Sequence, residues 1–315
     1  MIRTYAGFLG LTLTFSYLYI GTVLTSLHAS ILAPLVIGIA YIVAILGVLS
    51  EARNLPKPKS PFIDSGTVML FLSLVVGALI TYGLSVYAHL GAVVASGLVT
   101  LLAGILFPKL GPAITCGSFV GMTSSSLFAP NELFLAACIA GLVYLLAADV
   151  FNGFGGKLGT IAATGTTLAA VFTNNAFVDA KPLEPSCLIP AIVACALSSA
   201  VSFCINNRMK QGGVIASGAV SLVGGLLLPV IVPSIGGTLA ACCACGSYVG
   251  MSSSARLHDE SFALLAGALA GFCYFWGITV IAGVGGRLGT TAFGSALAIS
   301  FLAQEIILPR QRHPI

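Results

Sequence analysis

Charge is what this chain has least of. Asp, Glu, Lys and Arg make up 7% of its 315 residues, against about a quarter in an ordinary soluble domain. That scarcity excludes a water-soluble globule of this size. The formal net charge of +4 comes from residues placed singly or in twos and threes, with no basic run, so no nucleic-acid partner is expected. There is no ten-residue alternation of the kind that marks barrel strands. Catalytic signatures are missing too: no His-Glu-x-x-His, no Gly-x-Ser-x-Gly, no nucleotide-binding P-loop and no paired membrane aspartates in a proteolytic setting. The four histidines, His28, His89, His258 and His313, fall in turns or the tail without metal-ligand spacing. No enzymatic activity, resident cofactor or metal is expected.

What the chain does have is apolar length. Hydrophobic residues make up 58% of it, the mean hydropathy is +1.07, and apolar runs of about 17–25 residues recur from end to end. These predict an all-α polytopic membrane protein of about 12 transmembrane helices, because a bilayer requires backbone groups to be satisfied within each helix. Arg3 is followed by apolar sequence to about Leu27, too long for a signal-peptide core, and is read as a retained span. Residues 1–50 form a transmembrane hairpin and 51–65, with three prolines, a cytoplasmic linker.

The remainder is an internal duplication. CGSFVGM from Cys116 and CGSYVGM from Cys245 differ only at Phe119 and Tyr248, and GFGGKLGT returns as GVGGRLGT. Upstream, the stretch from Gly91 matches that from Gly212. The boundaries that follow are repeat 1 over 66–174, an extracytoplasmic loop over 175–186, repeat 2 over 187–308 and a cytoplasmic tail over 309–315. Each repeat reads as five spans. An odd number delivers the chain to the opposite side, so the second copy is expected inverted.

The third span of each repeat, near 112–126 and 235–253, is short and rich in Gly and Ser, and reads either as a full crossing or as a re-entrant loop. Charge favours crossing: with both termini inside, only Lys181 and Arg287 of the 13 basic residues stand outside. That pattern implies a cytoplasmic (inner) membrane with both termini cytoplasmic.

Two duplicated motifs supply the candidate site. Gly117, Ser118, Thr123 and Ser124, with Gly246, Ser247, Ser252 and Ser253, read as a helix packing face or as spans broken near the midplane, where exposed backbone groups and hydroxyls bind substrate or ion. Gly156, Lys157 and Thr160, with Gly286, Arg287 and Thr290, read as a tight turn with Thr as helix N-cap or as an anion-binding nest and gate, one at each mouth of a pathway. Asp149, whose counterpart is Thr279, is the carboxylate deepest in an apolar run of the duplicated region, and reads as a coupling residue, a partner of Lys157 or an interfacial acid. The run from Arg256 to Glu260 reads as a solvated loop. The nine cysteines all lie in apolar runs and read as small packing residues; Cys242, Cys243 and Cys245 have no His or carboxylate nearby to complete a metal site.

The expected function is a secondary transporter of a small anionic or zwitterionic solute, driven by an Na+ or H+ gradient and working by alternating access. A passive channel and a non-transporting subunit are the alternatives. The bilayer and the solute are the expected partners, and the Gly-rich faces suit a homo-oligomer as well as internal packing.

Overall fold

The computed structural model describes residues 2–27, 30–53, 55 and 64–307, with only the backbone described for 305–307. His28, most of the expected linker (Asn54 and 56–63, with Lys57 and Lys59) and the tail over 309–315, with Arg310, Arg312 and His313, lie outside the described residues.

Among the described residues the protein is helical without strands. Helices α1 (Ile2–Ser26) and α2 (Leu32–Ala52) form the N-terminal hairpin. Then come α3 (Ser65–Tyr82), α4 (Ala92–Leu106), α5 (Gly111–Gly121), α6 (Pro130–Leu146) and α7 (Lys157–Thr173). The second copy supplies α8 (Leu188–Phe203), α9 (Gly213–Ile231), α10 (Gly236–Gly250), the single turn α11 (Ser254–Leu257), α12 (Glu260–Trp276) and α13 (Arg287–Phe301). Among the described residues, five helical stretches are long and apolar enough to cross a membrane: α1, α2, α3 with its continuation to Tyr87, Pro185–Arg208 containing α8, and α9. Their outward faces carry Leu, Ile, Val and Met side chains, as a lipid-facing surface requires. The chain is membrane-embedded.

Local chemistry sets the boundaries. Asp64 and Thr67 form a reciprocal capping box at the start of α3, and the N–H donated by Thr67 holds the Asp64 carboxyl below its usual range. At the start of α12 the capping acid is Asp259, which accepts from the Ser261 N–H at 2.8 Å. α7 and α13 follow Gly156 and Gly286, both left-handed with φ of 81° and 92°. Thr160 and Thr290 are therefore not N-caps as expected. Each lies in the first turn and donates its hydroxyl back to the turn carbonyl, of Gly156 or Gly286, at 3.2 Å.

The copies share their backbone irregularities. α3 and α8 both end in a π turn, at Gly83–Tyr87 and Cys204–Arg208. Positive φ recurs at His89 and Lys210, Phe151 and Ile281, and Gly153 and Gly283. They also pack through equivalent residues. α4 crosses α9 with Gly97 against Leu222 and, reciprocally, Gly218 against Leu101. α7 crosses α13 with Gly156 facing Gly289 and Phe293, while Gly286 faces Gly159 and Ala163. In both pairs rising numbers meet falling ones, so each helix runs antiparallel to its counterpart.

The Gly- and Ser-rich span expected in each copy is not one continuous helix. α5 has 11 residues and α10 has 15, about 16 and 22 Å at 1.5 Å per residue, short of a hydrocarbon core of about 30 Å. Each stops at the second glycine of its motif, and an irregular stretch follows. The helices α6 and α12 also stop, at Leu146 and Trp276, and the chain continues as turns that bury Phe151, Phe154, Ile281 and Val284 before the glycine motif.

Candidate functional site

The two copies of both motifs converge at one place. Gly117 and Gly246 pack their helices tightly onto neighbours: a Cβ on Gly117 would lie 1.9 Å from the Leu74 carbonyl oxygen, and one on Gly246 would lie 2.1 Å from that of Cys195. This close approach is what the small-x-x-x-small spacing permits. It fixes α5 against α3 and α10 against α8, so that Phe119 and Tyr248 meet between the copies, ring centroids 4.4 Å apart. Sequence reading passes over this pair because it is the one position at which the motifs differ.

Beyond the aromatic pair, the hydroxyls of one copy hold the glycine turn of the other. The Gly155 N–H donates to Ser252 Oγ at 2.9 Å, and the Gly285 N–H donates to Thr123 Oγ1 at 3.2 Å. Backbone bonds repeat the crossing, from the Ser253 N–H to Gly153 O and from the Ser124 N–H to Gly283 O, both at 2.9 Å. Within each copy the Cys116 and Cys245 thiols donate to Leu158 O and Leu288 O, both at 3.3 Å. Each turn thus packs against the end of the other copy's motif helix, α10 or α5, and against the first turn of α13 or α7.

Ser118 and Ser247 turn the other way. Ser118 Oγ lies 3.0 Å from both Ser96 Oγ and Thr100 Oγ1, and Ser247 Oγ lies 2.9 Å from Ser221 Oγ. All five side chains are buried, and they join α5 to α4 and α10 to α9. These partners sit in ordinary apolar helices, and only their periodicity against the motif could have revealed them.

The cations are directed at carbonyl oxygens. Lys157 Nζ donates to Asn152 Oδ1 at 2.8 Å and to Ala148 O at 3.3 Å. Arg287 donates to Gly277 O at 3.4 Å and also to Ile278 O, with its guanidinium 5.7 Å from the Tyr274 ring centre. Both therefore neutralise the C-terminal ends of the preceding helices. Arg287 is half-buried in the fold. Asp149 does not continue α6, which ends at Leu146, and it pairs with Arg3 at 3.0 Å, joining α1 to the α6–α7 turn.

A cavity of about 190 Å³ adjoins this centre, lined by both copies, including Phe119, Met122, Ser124, Tyr248, Gly286 and Arg287. A larger groove of about 470 Å³ between α8 and α9 is almost wholly apolar and is lined by residues such as Leu197, Val201, Val223 and Leu227. It contains none of the polar residues of the two motifs. Among the described residues no cluster of His, Cys, Asp or Glu forms a metal site. No protein-family description, characterised protein or solved structure matches this chain.

Proposed function

We propose that this chain is a secondary transporter of a small anionic or zwitterionic solute, built from an N-terminal hairpin and two inverted five-span repeats. The observation that carries the proposal is the reciprocal crossing of the two motifs, Thr123 to Gly285 and Ser252 to Gly155. Antiparallel packing of equivalent helices is what a two-fold axis lying in the membrane plane generates, and such an axis gives alternating access two related arrangements around one central site. The discontinuities after α5 and α10 and before α7 and α13 fit that reading, since irregular backbone at membrane depth is tolerated where protein buries it or a cavity solvates it.

The anionic lean has a physical basis. The first turns of α7 and α13 lie side by side at the centre and contain no acidic residue. The positive end of α13 and Arg287, both lining the cavity of about 190 Å³, favour negative charge there. The contact of Phe119 with Tyr248 supports a gated carrier over an open pore. Energy would come from an Na+ or H+ gradient, with Asp149 as the group that exchanges its Arg3 partner for the coupling ion. The membrane in this reading is the cytoplasmic one, with both termini on its cytoplasmic side.

The test is uptake of a panel of small carboxylates, amino acids and inorganic anions into sealed proteoliposomes, with and without imposed Na+ and H+ gradients. Accumulation against the solute's own gradient supports the transporter. Flux that only follows the solute's gradient replaces it with a channel, and no flux for any solute leaves a non-transporting subunit.

A further inference from the structure

The two ends of the central interface are closed differently. At one end a chain of polar contacts links three parts of the protein. Arg256 in α11 binds Glu51 at the end of α2 through two hydrogen bonds, 2.6 and 3.0 Å. Its Nε donates to the Asn152 carbonyl at 3.1 Å, and its guanidinium lies 4.1 Å over the Phe154 ring. The Asn152 side chain in turn accepts from Lys157. The run from Glu51 to Lys157 therefore ties the N-terminal hairpin, the second copy and the glycine turn of the first into one unit.

The matching positions of the other end have none of this chemistry. The counterpart of Arg256 is Leu127, that of Asn152 is Ala282 and that of Phe154 is Val284. The Ala282 carbonyl accepts from the Val178 N–H at 3.0 Å, a backbone bond in place of the guanidinium, and Val284 lines the central cavity. Hairpin helix α2 has no counterpart in the duplication, so its carboxylate can act on one end only. Two nearly equivalent arrangements of a duplicated protein become unequal when one end gains an ion pair that the other lacks.

We propose that Glu51, Arg256, Asn152 and Lys157 form a latch that holds this end of the interface shut, so that the resting protein exposes its central cavity towards the end bearing Ser124 and Gly283. This rests on the transporter reading. For the solute to pass, the Arg256–Glu51 pair has to part and release Phe154 and the turn through Gly153. Both side chains of the pair are about a quarter exposed or less, at 21% and 25%. The bidentate, half-buried geometry makes the bond stronger than a surface pair while leaving it breakable.

Amide hydrogen exchange of the full-length protein in lipid nanodiscs tests the latch without any solute. Glu51→Gln should raise exchange over 151–156 by about fivefold and leave 281–286 unchanged or slower. Arg256→Gln should do the same, and the double variant should be no faster than either single one. Unchanged exchange at 151–156 in both variants overturns the latch, and so does an equal rise at both ends, which would mean general loosening. Because this readout needs no transported solute, the latch can fail while uptake persists, and uptake can be absent for every solute while the latch holds.

Discussion

Ser252 accepts a hydrogen bond from the Gly155 N–H at 2.9 Å across the interface between the two copies, and Thr123 accepts the matching bond from Gly285 at 3.2 Å. Each hydroxyl also donates to the last turn of its own helix, Ser252 to Val249 O at 2.7 Å and Thr123 to Val120 O at 2.6 Å. One side chain therefore satisfies a helix end in one copy and a turn in the other. Both hydroxyls are buried, where water does not replace a lost partner, and that double duty explains a hydroxyl at this position in both copies.

Removing the hydroxyl leaves a buried N–H without its acceptor, which costs about 1–3 kcal/mol. Ser252→Ala and Thr123→Val are each expected to lower stability by that amount. Ser124→Ala should be near neutral, since its half-buried hydroxyl accepts from the Ser126 N–H at 3.2 Å within a local turn. Thermal unfolding in a fixed detergent, followed by helical circular dichroism, measures the order. Equal effects for all three would show that the cross-copy bonds carry no special weight.

The crossing of α7 over α13 makes a second, sterically sharper prediction. A Cβ on Gly159 would lie 2.5 Å from the Gly289 Cα, and one on Gly289 would lie 2.6 Å from the Gly159 Cα. The neighbour in each case is backbone, so the helices themselves must separate. Gly159→Ala and Gly289→Ala are expected to cost about 1–3 kcal/mol each. Gly38→Ala in α2 is the control. Nothing lies within 4 Å of its added carbon, so it should be neutral or stabilising by up to about 1 kcal/mol. Monodisperse yield and unfolding temperature report the difference.

How far the sequence carries the structure depends on what it encodes locally. The duplication is legible because both motifs are nearly identical, and the membrane class is legible from apolar length alone. Helix ends are harder. The stretch over 277–283 is as apolar as a helix, yet it folds as a largely buried turn with Ile281 and Gly283 at positive φ; hydropathy reports burial and says nothing of backbone shape. Arg256 reads as solvated because its partners, Glu51 and Asn152, are 205 and 104 residues away. A separation of 146 residues likewise hides Arg3 from Asp149. The meeting of Phe119 with Tyr248 follows from symmetry, which single-chain periodicity does not contain.

The Asp149–Arg3 pair separates a coupling role from a structural one. Both side chains are largely buried, at 17% and 14% exposed. If Asp149 exchanges Arg3 for a proton or Na+, Asp149→Asn abolishes gradient-driven accumulation while solute exchange across equal gradients persists. Arg3→Gln should leave accumulation gradient-dependent and change its pH or Na+ response. A merely structural pair would behave otherwise: both variants would lose stability by about 1 kcal/mol and affect accumulation and exchange alike. Parallel measurement of the two fluxes in one vesicle preparation decides between them.

Lys157 and Arg287 occupy equivalent positions, and the cavity makes them unequal. Arg287 lines it beside Ser124 and Gly286, while Lys157 faces Asn152 and Ala148 at the latched end. A solute drawn to positive charge in that cavity should therefore sense one cation and not the other. Arg287→Met is expected to raise the half-saturating concentration of an anionic solute about tenfold, the loss of roughly one charge-assisted hydrogen bond. Lys157→Met should shift it less than about twofold, because Lys157 does not line that cavity. Arg287→Lys keeps the charge and loses the planar donor pair, so partial recovery would assign the effect to charge and none would assign it to geometry. Equal shifts for the two methionine variants would mean that the solute passes both turns in a single symmetric site, and the cavity beside Arg287 would lose its claim to be where binding begins.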